Sequence, residues 1–84
     1  MIAPRFADVH YNLGIAYSKK GMLNEAIIEY KRVLSIEQNH ADTHYNLSVA
    51  YYYKGNYTLA LFHCEKAEQL GIEINAKFLE LIKK

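Results

Sequence analysis

An internal repeat with a period of 34 residues constrains this chain more than any other feature. When the 84-residue sequence is shifted by that period, identical residues coincide in several short blocks. These are Ala7-Asp8 with Ala41-Asp42, His10-Tyr11-Asn12-Leu13 with His44-Tyr45-Asn46-Leu47, Ala16-Tyr17 with Ala50-Tyr51, Lys20-Gly21 with Lys54-Gly55, and Ala26 with Ala60. Such a period is typical of stacked helix-turn-helix units, because one unit cannot bury its own apolar face. We therefore expect an all-α solenoid of helix-turn-helix repeats.

Apolar residues within each unit recur at helical spacing. In the first unit the two runs are His10, Leu13, Gly14 and Tyr17, and then Leu23, Ala26, Ile27 and Tyr30. This spacing places each run on one side of a helix, so that the two helices of a unit face one another. Gly21 and Gly55 stand between the runs, where a left-handed residue ends a helix. The pattern predicts helices at about 7–20, 23–37, 41–54 and 57–70.

The two ends of the chain differ from the repeats. Residues 2–6 are in register with residues 36–40, which predicts the tail of a preceding repeat and a chain that is a piece of a longer array. At the other end, one side of a last helical segment is apolar and the other is charged, which predicts a capping helix. The expected organisation is one domain, 1–84, with about five helices. It consists of a remnant at 1–6, repeats at 7–40 and 41–74, and a cap at 75–84.

Charge and composition exclude several classes of partner. Ten Lys and Arg against nine Asp and Glu leave a formal net charge of +1, so no strong field attracts nucleic acid or an anionic membrane. No apolar run approaches the roughly 20 residues that span a bilayer, and the N-terminus lacks a signal-peptide pattern. We therefore expect a cytoplasmic protein without nucleic-acid or membrane partners.

Four histidines suggest a metal site, since His40 and His44 are one helical turn apart. A zincin helix needs Glu directly after the first His, and Ala41 occupies that position. We expect His10 and His44 to lie at the edge of the core instead, and Cys64 to be a small buried hydrophobe. There is also no Gly-rich phosphate loop and no nucleophile–base pair. The sequence predicts a chain that is not an enzyme, with no cofactor and no metal.

Two stretches of the sequence resemble a tetratricopeptide repeat. The first comprises residues 11–17, Gly21, Asn24-Glu25-Ala26-Ile27, Tyr30 and Leu34, and the second spans residues 45–67. The resemblance covers nearly the whole chain, but Ser48 replaces a usual glycine and Cys64 an aromatic residue, and we expect looser packing there. The resemblance implies a protein-interaction scaffold in which the first helix of each repeat lines a concave groove.

On this resemblance, side chains beside the core stripe of each leading helix face the groove. They are Asp8, Tyr11, Ile15, Ser18 and Lys19 in the first repeat and Asp42, Tyr45, Val49, Tyr52 and Tyr53 in the second, with Asn12 and Asn46 at the edge of the groove. Tyrosine is enriched at interfaces because it supplies contact area and a hydroxyl at low entropy cost. We expect this surface to bind a peptide or helix of a partner protein. Two alternatives stay open: the rings pack on neighbouring helices and expose only their hydroxyls, or the same apolar surfaces form a homo-oligomer.

Overall fold

The computed structural model describes the backbone of residues 3–83 and the side chains of residues 6–83. This range contains five helices and no strand. The helices are α1 (Ala3–Lys19), α2 (Leu23–Ile36), α3 (Ala41–Tyr53), α4 (Tyr57–Gln69) and α5 (Ala76–Lys83). The predicted all-α helix-turn-helix fold is confirmed. None of the helices in this range is long and apolar enough to span a bilayer.

Glycines end α1, α3 and α4. Gly21, Gly55 and Gly71 have φ angles of 78°, 83° and 106°. After α1, the amide of Gly21 donates to the carbonyl of Ser18 at 3.0 Å, and the next amide donates to the carbonyl of Tyr17 at 2.9 Å. These bonds satisfy carbonyls that the helix end leaves without partners. The predicted interhelical glycines therefore stop the leading helices where the sequence indicates.

The first helix begins earlier than predicted, at Ala3 instead of about residue 7. Residues 3–6 form its first turn, while residues 1 and 2 lie outside the described range. The assignment of residues 1–6 as the remnant of a preceding repeat stays a prediction. Pro4 explains the difference, because a first helical turn has no intrahelical bond for the missing N–H to break. The other predicted helix ends lie within one residue of the observed ones, apart from residue 84, which is also outside the described range.

The helices pack as two pairs and a cap. The contacts join α1 to α2, α3 to α4, α2 to α3, and α5 to α4. The core includes Ala26, Leu47 and Ala60, all fully buried. On α5, Ile82 is buried and Phe78 packs against the core. The apolar side of α5 therefore covers α4, as expected for a capping helix.

One core contact between the two helices of a repeat is made by residues of different size in the two repeats. In the first repeat a Cβ on Gly14 would lie 2.6 Å from Cδ1 of Tyr30. The equivalent residues of the second repeat are Ser48 and Cys64, and both are fully buried. A larger residue on α3 thus accompanies a smaller one on α4. The two replacements therefore compensate in size, and the looser packing expected at Ser48 and Cys64 stays a prediction.

The leucine on the inward run of the leading helix is buried in the second repeat and exposed in the first. Leu47 is 0% exposed, whereas the equivalent Leu13, which the sequence places on an inward run, is 41% exposed. Both α2 and α4 pack on α3, whereas α2 is the main neighbour of α1. Leu13 therefore faces a side of α1 that the described residues do not cover.

Candidate partner-binding groove

A concave pocket of about 330 Å³ lies between the leading helices α1 and α3. It is lined by Ile15, Ser18, Lys19, Tyr30, Tyr45, Asn46 and Val49. Apart from Tyr30, each was predicted from the sequence to face the groove or to lie at its edge. Residues three or four positions apart share one side of a helix, so residues 15, 18 and 19 of α1 meet residues 45, 46 and 49 of α3 across the groove.

Tyr11 lies beside this pocket and packs on its neighbours. Its ring centroid is 6.2 Å from that of Tyr30 and 5.1 Å from that of His40. The Asn46 amide donates a hydrogen bond to the Tyr11 hydroxyl at 3.2 Å. Tyr11 therefore helps to position Asn46. Asn12 is exposed and does not line the pocket, since one residue turns the side chain by about 100° around the helix.

An aromatic cluster joins α3 to α4 and α5. The centroid of Phe78 lies 6.2 Å from Tyr45 and 5.6 Å from Tyr52. Tyr52 also lies 5.3 Å from Tyr53 and 5.7 Å from Tyr57. Such edge-to-face and tilted pairs are favourable arrangements of aromatic rings. Tyr45 and Tyr52 are thus half-buried against neighbouring rings, as in the alternative left open above, whereas Tyr53 is 70% exposed.

Sequence reasoning missed two aromatic residues of this region. Tyr30 is on the apolar run of α2 and Phe78 is on the apolar side of α5, so the sequence pattern predicts that both are core residues. Tyr30 reaches the groove because the glycine opposite it on α1, Gly14, leaves room for the ring. No local pattern shows this, since it depends on which helices pack together.

The pocket combines apolar walls with a few polar groups. Ile15 and Val49 supply apolar side chains, and Lys19 supplies a cation at the rim. Burial raises the pKa of the Tyr30 hydroxyl above its usual range. This arrangement suits an apolar side chain next to a carbonyl or carboxylate oxygen.

Comparison with known proteins identifies the repeats. Two family models, both described as tetratricopeptide repeat, match residues 7–40 and residues 41–71. The chain belongs to the tetratricopeptide repeat family. Tetratricopeptide repeats are generally protein–protein interaction modules and typically non-catalytic scaffolds. A search of curated proteins finds no match to this chain.

The histidines of this tetratricopeptide repeat chain make structural hydrogen bonds. The Nδ1 atom of His40 accepts a hydrogen bond from the amide of Thr43 at 3.3 Å, which caps α3. The Nε2 atom of His44 donates to the carbonyl of Gln38 at 2.9 Å. In the part of the chain that the structure describes, no three His, Cys, Asp or Glu residues are grouped to hold a metal ion.

Equivalent histidines of the two repeats have different partners. In the first repeat, Nδ1 of His10 lies 2.7 Å from Oε1 of Glu29, and Oε2 of the same carboxylate accepts a hydrogen bond from Arg32 at 2.9 Å. In the second, Nδ1 of His44 lies 3.0 Å from Nδ1 of His63. Burial, with a further contribution from His44, lowers the pKa of His63 to about 4.

Proposed function

We propose that the chain binds a helix or an extended segment of a partner protein in the groove between α1 and α3. The observation that carries this proposal is the pocket of about 330 Å³, in which Ile15 and Val49 lie beside the amide of Asn46 and the ammonium of Lys19. Ligand sites are commonly concave and mostly apolar, with a few polar groups that fix orientation. The family's general role in protein interaction supports the same function.

The lining residues define the chemistry of the ligand. An apolar side chain of the partner occupies the space between Ile15, Tyr45 and Val49. A carbonyl or carboxylate oxygen next to that side chain reaches Lys19. Tyr52 and Tyr53 extend the contact surface towards α5. Because apolar burial supplies most of the affinity, salt has little effect on binding.

Peptide selection tests the proposal directly. A random peptide library is selected on the wild-type chain, and the affinity of enriched peptides is measured by calorimetry. We expect Val49→Asp to weaken binding by about tenfold or more, because it places a charge where an apolar anchor packs. Ile28→Asp is the control, since Ile28 is apolar and 50% exposed but lies outside the pocket, whereas Val49 is partly buried in it. Equal loss in both variants, or full affinity in Val49→Asp, contradicts the proposal.

The tyrosines provide a second test of the same groove. We expect Tyr45→Ala combined with Tyr52→Ala to cost ~2–4 kcal/mol of binding, the usual range for aromatic hot spots. Because both rings also pack on Phe78, circular dichroism must show that the variant is folded at the assay temperature. Unchanged affinity in the folded variant, or affinity that collapses between low and moderate salt, contradicts an apolar groove.

Self-assembly is the alternative function. In that case the same apolar surfaces join copies of the chain into a homo-oligomer, and Val49→Asp lowers the molar mass measured by sedimentation equilibrium. A groove that binds a partner behaves differently, because the variant loses the peptide and keeps its molar mass.

A further inference from the structure

A pair of histidines lies between the two helices of the second repeat, outside the groove. The Nδ1 atoms of His44 on α3 and His63 on α4 are 3.0 Å apart. The sequence-based metal hypothesis concerns His40 and His44, but the structure uses His40 to cap α3 and places His63 opposite His44. Because the two residues of the pair lie on different helices, 19 positions apart, no local spacing marks them in the sequence.

The hydrogen bonds of His44 determine which atom it presents to His63. Its Nε2 atom donates to the carbonyl of Gln38 at 2.9 Å. A carbonyl only accepts hydrogen bonds, so the neutral His44 ring carries its proton on Nε2 and a lone pair on Nδ1. Histidine ligands of metals are held in the same way, with the second ring nitrogen donating to a backbone carbonyl or a carboxylate. Nδ1 of His44 is therefore a nitrogen ligand in a fixed position.

His63 supplies a second neutral nitrogen. Its ring stacks on that of Tyr51, with centroids 5.7 Å apart and an interplanar angle of 14°, and Phe62 lies edge-on at 5.0 Å. Burial, followed by His44 and Lys31, lowers the pKa of His63 to about 4. The ring is thus neutral at pH 7, and protons do not compete with a metal for its nitrogens. With its single proton on Nε2, both Nδ1 lone pairs of the pair are available to one ion.

The distance between the two Nδ1 atoms fits adjacent ligands of one metal ion. Imidazole nitrogens bind divalent metals at about 2.0–2.1 Å, so two ligands at 90° lie about 2.9 Å apart and two tetrahedral ligands about 3.4 Å apart. The observed distance of 3.0 Å matches the 90° arrangement. Square-planar and tetragonal sites of nitrogen and oxygen ligands are typical of Cu(II) and Ni(II), and Cu(II) binds more tightly.

The first repeat provides an internal comparison. His10 is equivalent to His44, but Glu29 takes the place of His63. The second carboxylate oxygen of Glu29 accepts a hydrogen bond from Arg32 at 2.9 Å. The guanidinium of Arg32 opposes a second cation at this carboxylate. A pair of facing imidazoles is therefore a feature of the second repeat alone.

We propose that His44 and His63 bind one divalent copper ion through their Nδ1 atoms, with water as the remaining ligands. This departs from the sequence-based prediction of no metal, and it does not depend on the groove. No third His, Cys, Asp or Glu of the described chain joins the pair, but His63 is partly exposed, so solvent reaches it. Two protein ligands and the nearby ammonium of Lys31 limit the affinity to the micromolar range. The bound ion joins α3 to α4.

Titration of the wild-type chain with copper(II) chloride tests the proposal. Calorimetry measures the affinity, and electron paramagnetic resonance measures the number of bound imidazole nitrogens. We expect two nitrogens on one ion, and a melting temperature that rises with copper concentration because the ion binds the folded pair. His63→Phe keeps an aromatic ring beside Tyr51 and Phe62 but removes both nitrogens. We expect this variant to bind the ion about tenfold more weakly or worse.

His10→Asn is the matched control, because it leaves as many histidines as His63→Phe and keeps the pair intact. We expect it to bind copper as the wild type does. Circular dichroism must show that both variants are folded at the assay temperature, and the resonance spectrum of the wild type needs no variant at all.

Four results would overturn the proposal. The first is equal affinity of His63→Phe and the wild type. The second is an equal loss in His10→Asn and His63→Phe, which places the ion at other histidines. The third is a wild-type spectrum with fewer than two bound imidazole nitrogens. The fourth is no binding in an excess of copper.

Discussion

Replacing Gly14 by alanine tests the packing of the first repeat. Alanine normally stabilises the interior of a helix by about 1 kcal/mol relative to glycine. We expect the opposite here, because the new Cβ would lie 2.6 Å from Cδ1 and 3.0 Å from Cζ of Tyr30. Non-bonded carbon atoms normally lie ~3.5–4.0 Å apart. Gly14→Ala therefore forces the ring or the helix to move.

The structure sets the size of the effect. Tyr30 is 1% exposed and part of the core, so its ring can move towards the groove pocket that it lines only by losing contacts with its core neighbours. Overpacking a core costs ~1–3 kcal/mol, and an overlap of about 1 Å with a buried ring belongs at the upper end. Subtracting the gain of about 1 kcal/mol in helix propensity leaves a loss of about 2 kcal/mol. For a domain of this size that loss lowers the melting temperature by about 8–16 °C.

Thermal and urea unfolding followed by circular dichroism measure this loss. A double-mutant cycle identifies its cause, because Gly14→Ser with Tyr30→Cys recreates the Ser48–Cys64 contact of the second repeat. We expect this double variant to be more stable than the sum of the two single changes predicts. Tyr30→Phe is the control, since it keeps the aromatic ring and therefore does not remove the overlap with a side chain at position 14. A Gly14→Ala variant as stable as the wild type, or more stable, refutes the reasoning.

Three further stability predictions follow from single residues. Ala26→Leu and Ala60→Leu should each cost ~1–3 kcal/mol because both residues are fully buried, and retained melting temperatures would show that the helix pairing is different. Gly21→Ala should lower the free energy of unfolding in urea by ~1–2 kcal/mol. The cause is its φ of 78° alone, because no atom lies near the Cβ position and the methyl group would meet no neighbour. The stability should also fall as the pH drops from 7 to 4, because the unfolded chain then protonates His63 while the folded chain, with a pKa of about 4, does not. Because solvent reaches this half-buried ring in part, we expect the free energy of unfolding to fall by about 1–2 kcal/mol over this pH range in acid titrations. The variant His63→Glu places in the second repeat the residue type of the equivalent Glu29, and it should remove this loss.

Most helix boundaries could be predicted because local signals determine them. Gly21 and Gly55 adopt the left-handed conformation that ends a helix, and that preference needs no distant partner. The start of α1 could not be predicted in the same way. Pro4 is compatible both with the end of a repeat and with the first turn of a helix, so the sequence pattern alone does not distinguish them.

The groove was predictable only in part. Ile15 and Val49 were assigned to it because their helical spacing, together with the family's architecture, places them on one side of a leading helix. Tyr30 and Phe78 were not assigned, because their roles depend on the packing of α2 against α1 and of α5 against α3 and α4. Helical periodicity shows which side chains share a face, but it does not show which other helix that face meets.

Leu13 and Leu47 separate what the sequence determined from what the tertiary structure decided. Each is the last residue of the tetrapeptide His-Tyr-Asn-Leu, and each lies on the leading helix of its repeat, 34 residues apart. The sequence by itself determined the repeat, the helices and this shared position, because these follow from local periodicity and helix-ending glycines. Only the tertiary structure decided that Leu47 is buried and Leu13 is exposed. The physical reason is that burial depends on a neighbour distant in sequence, and α2 lies against α3 while no equivalent helix of the described chain lies against this side of α1.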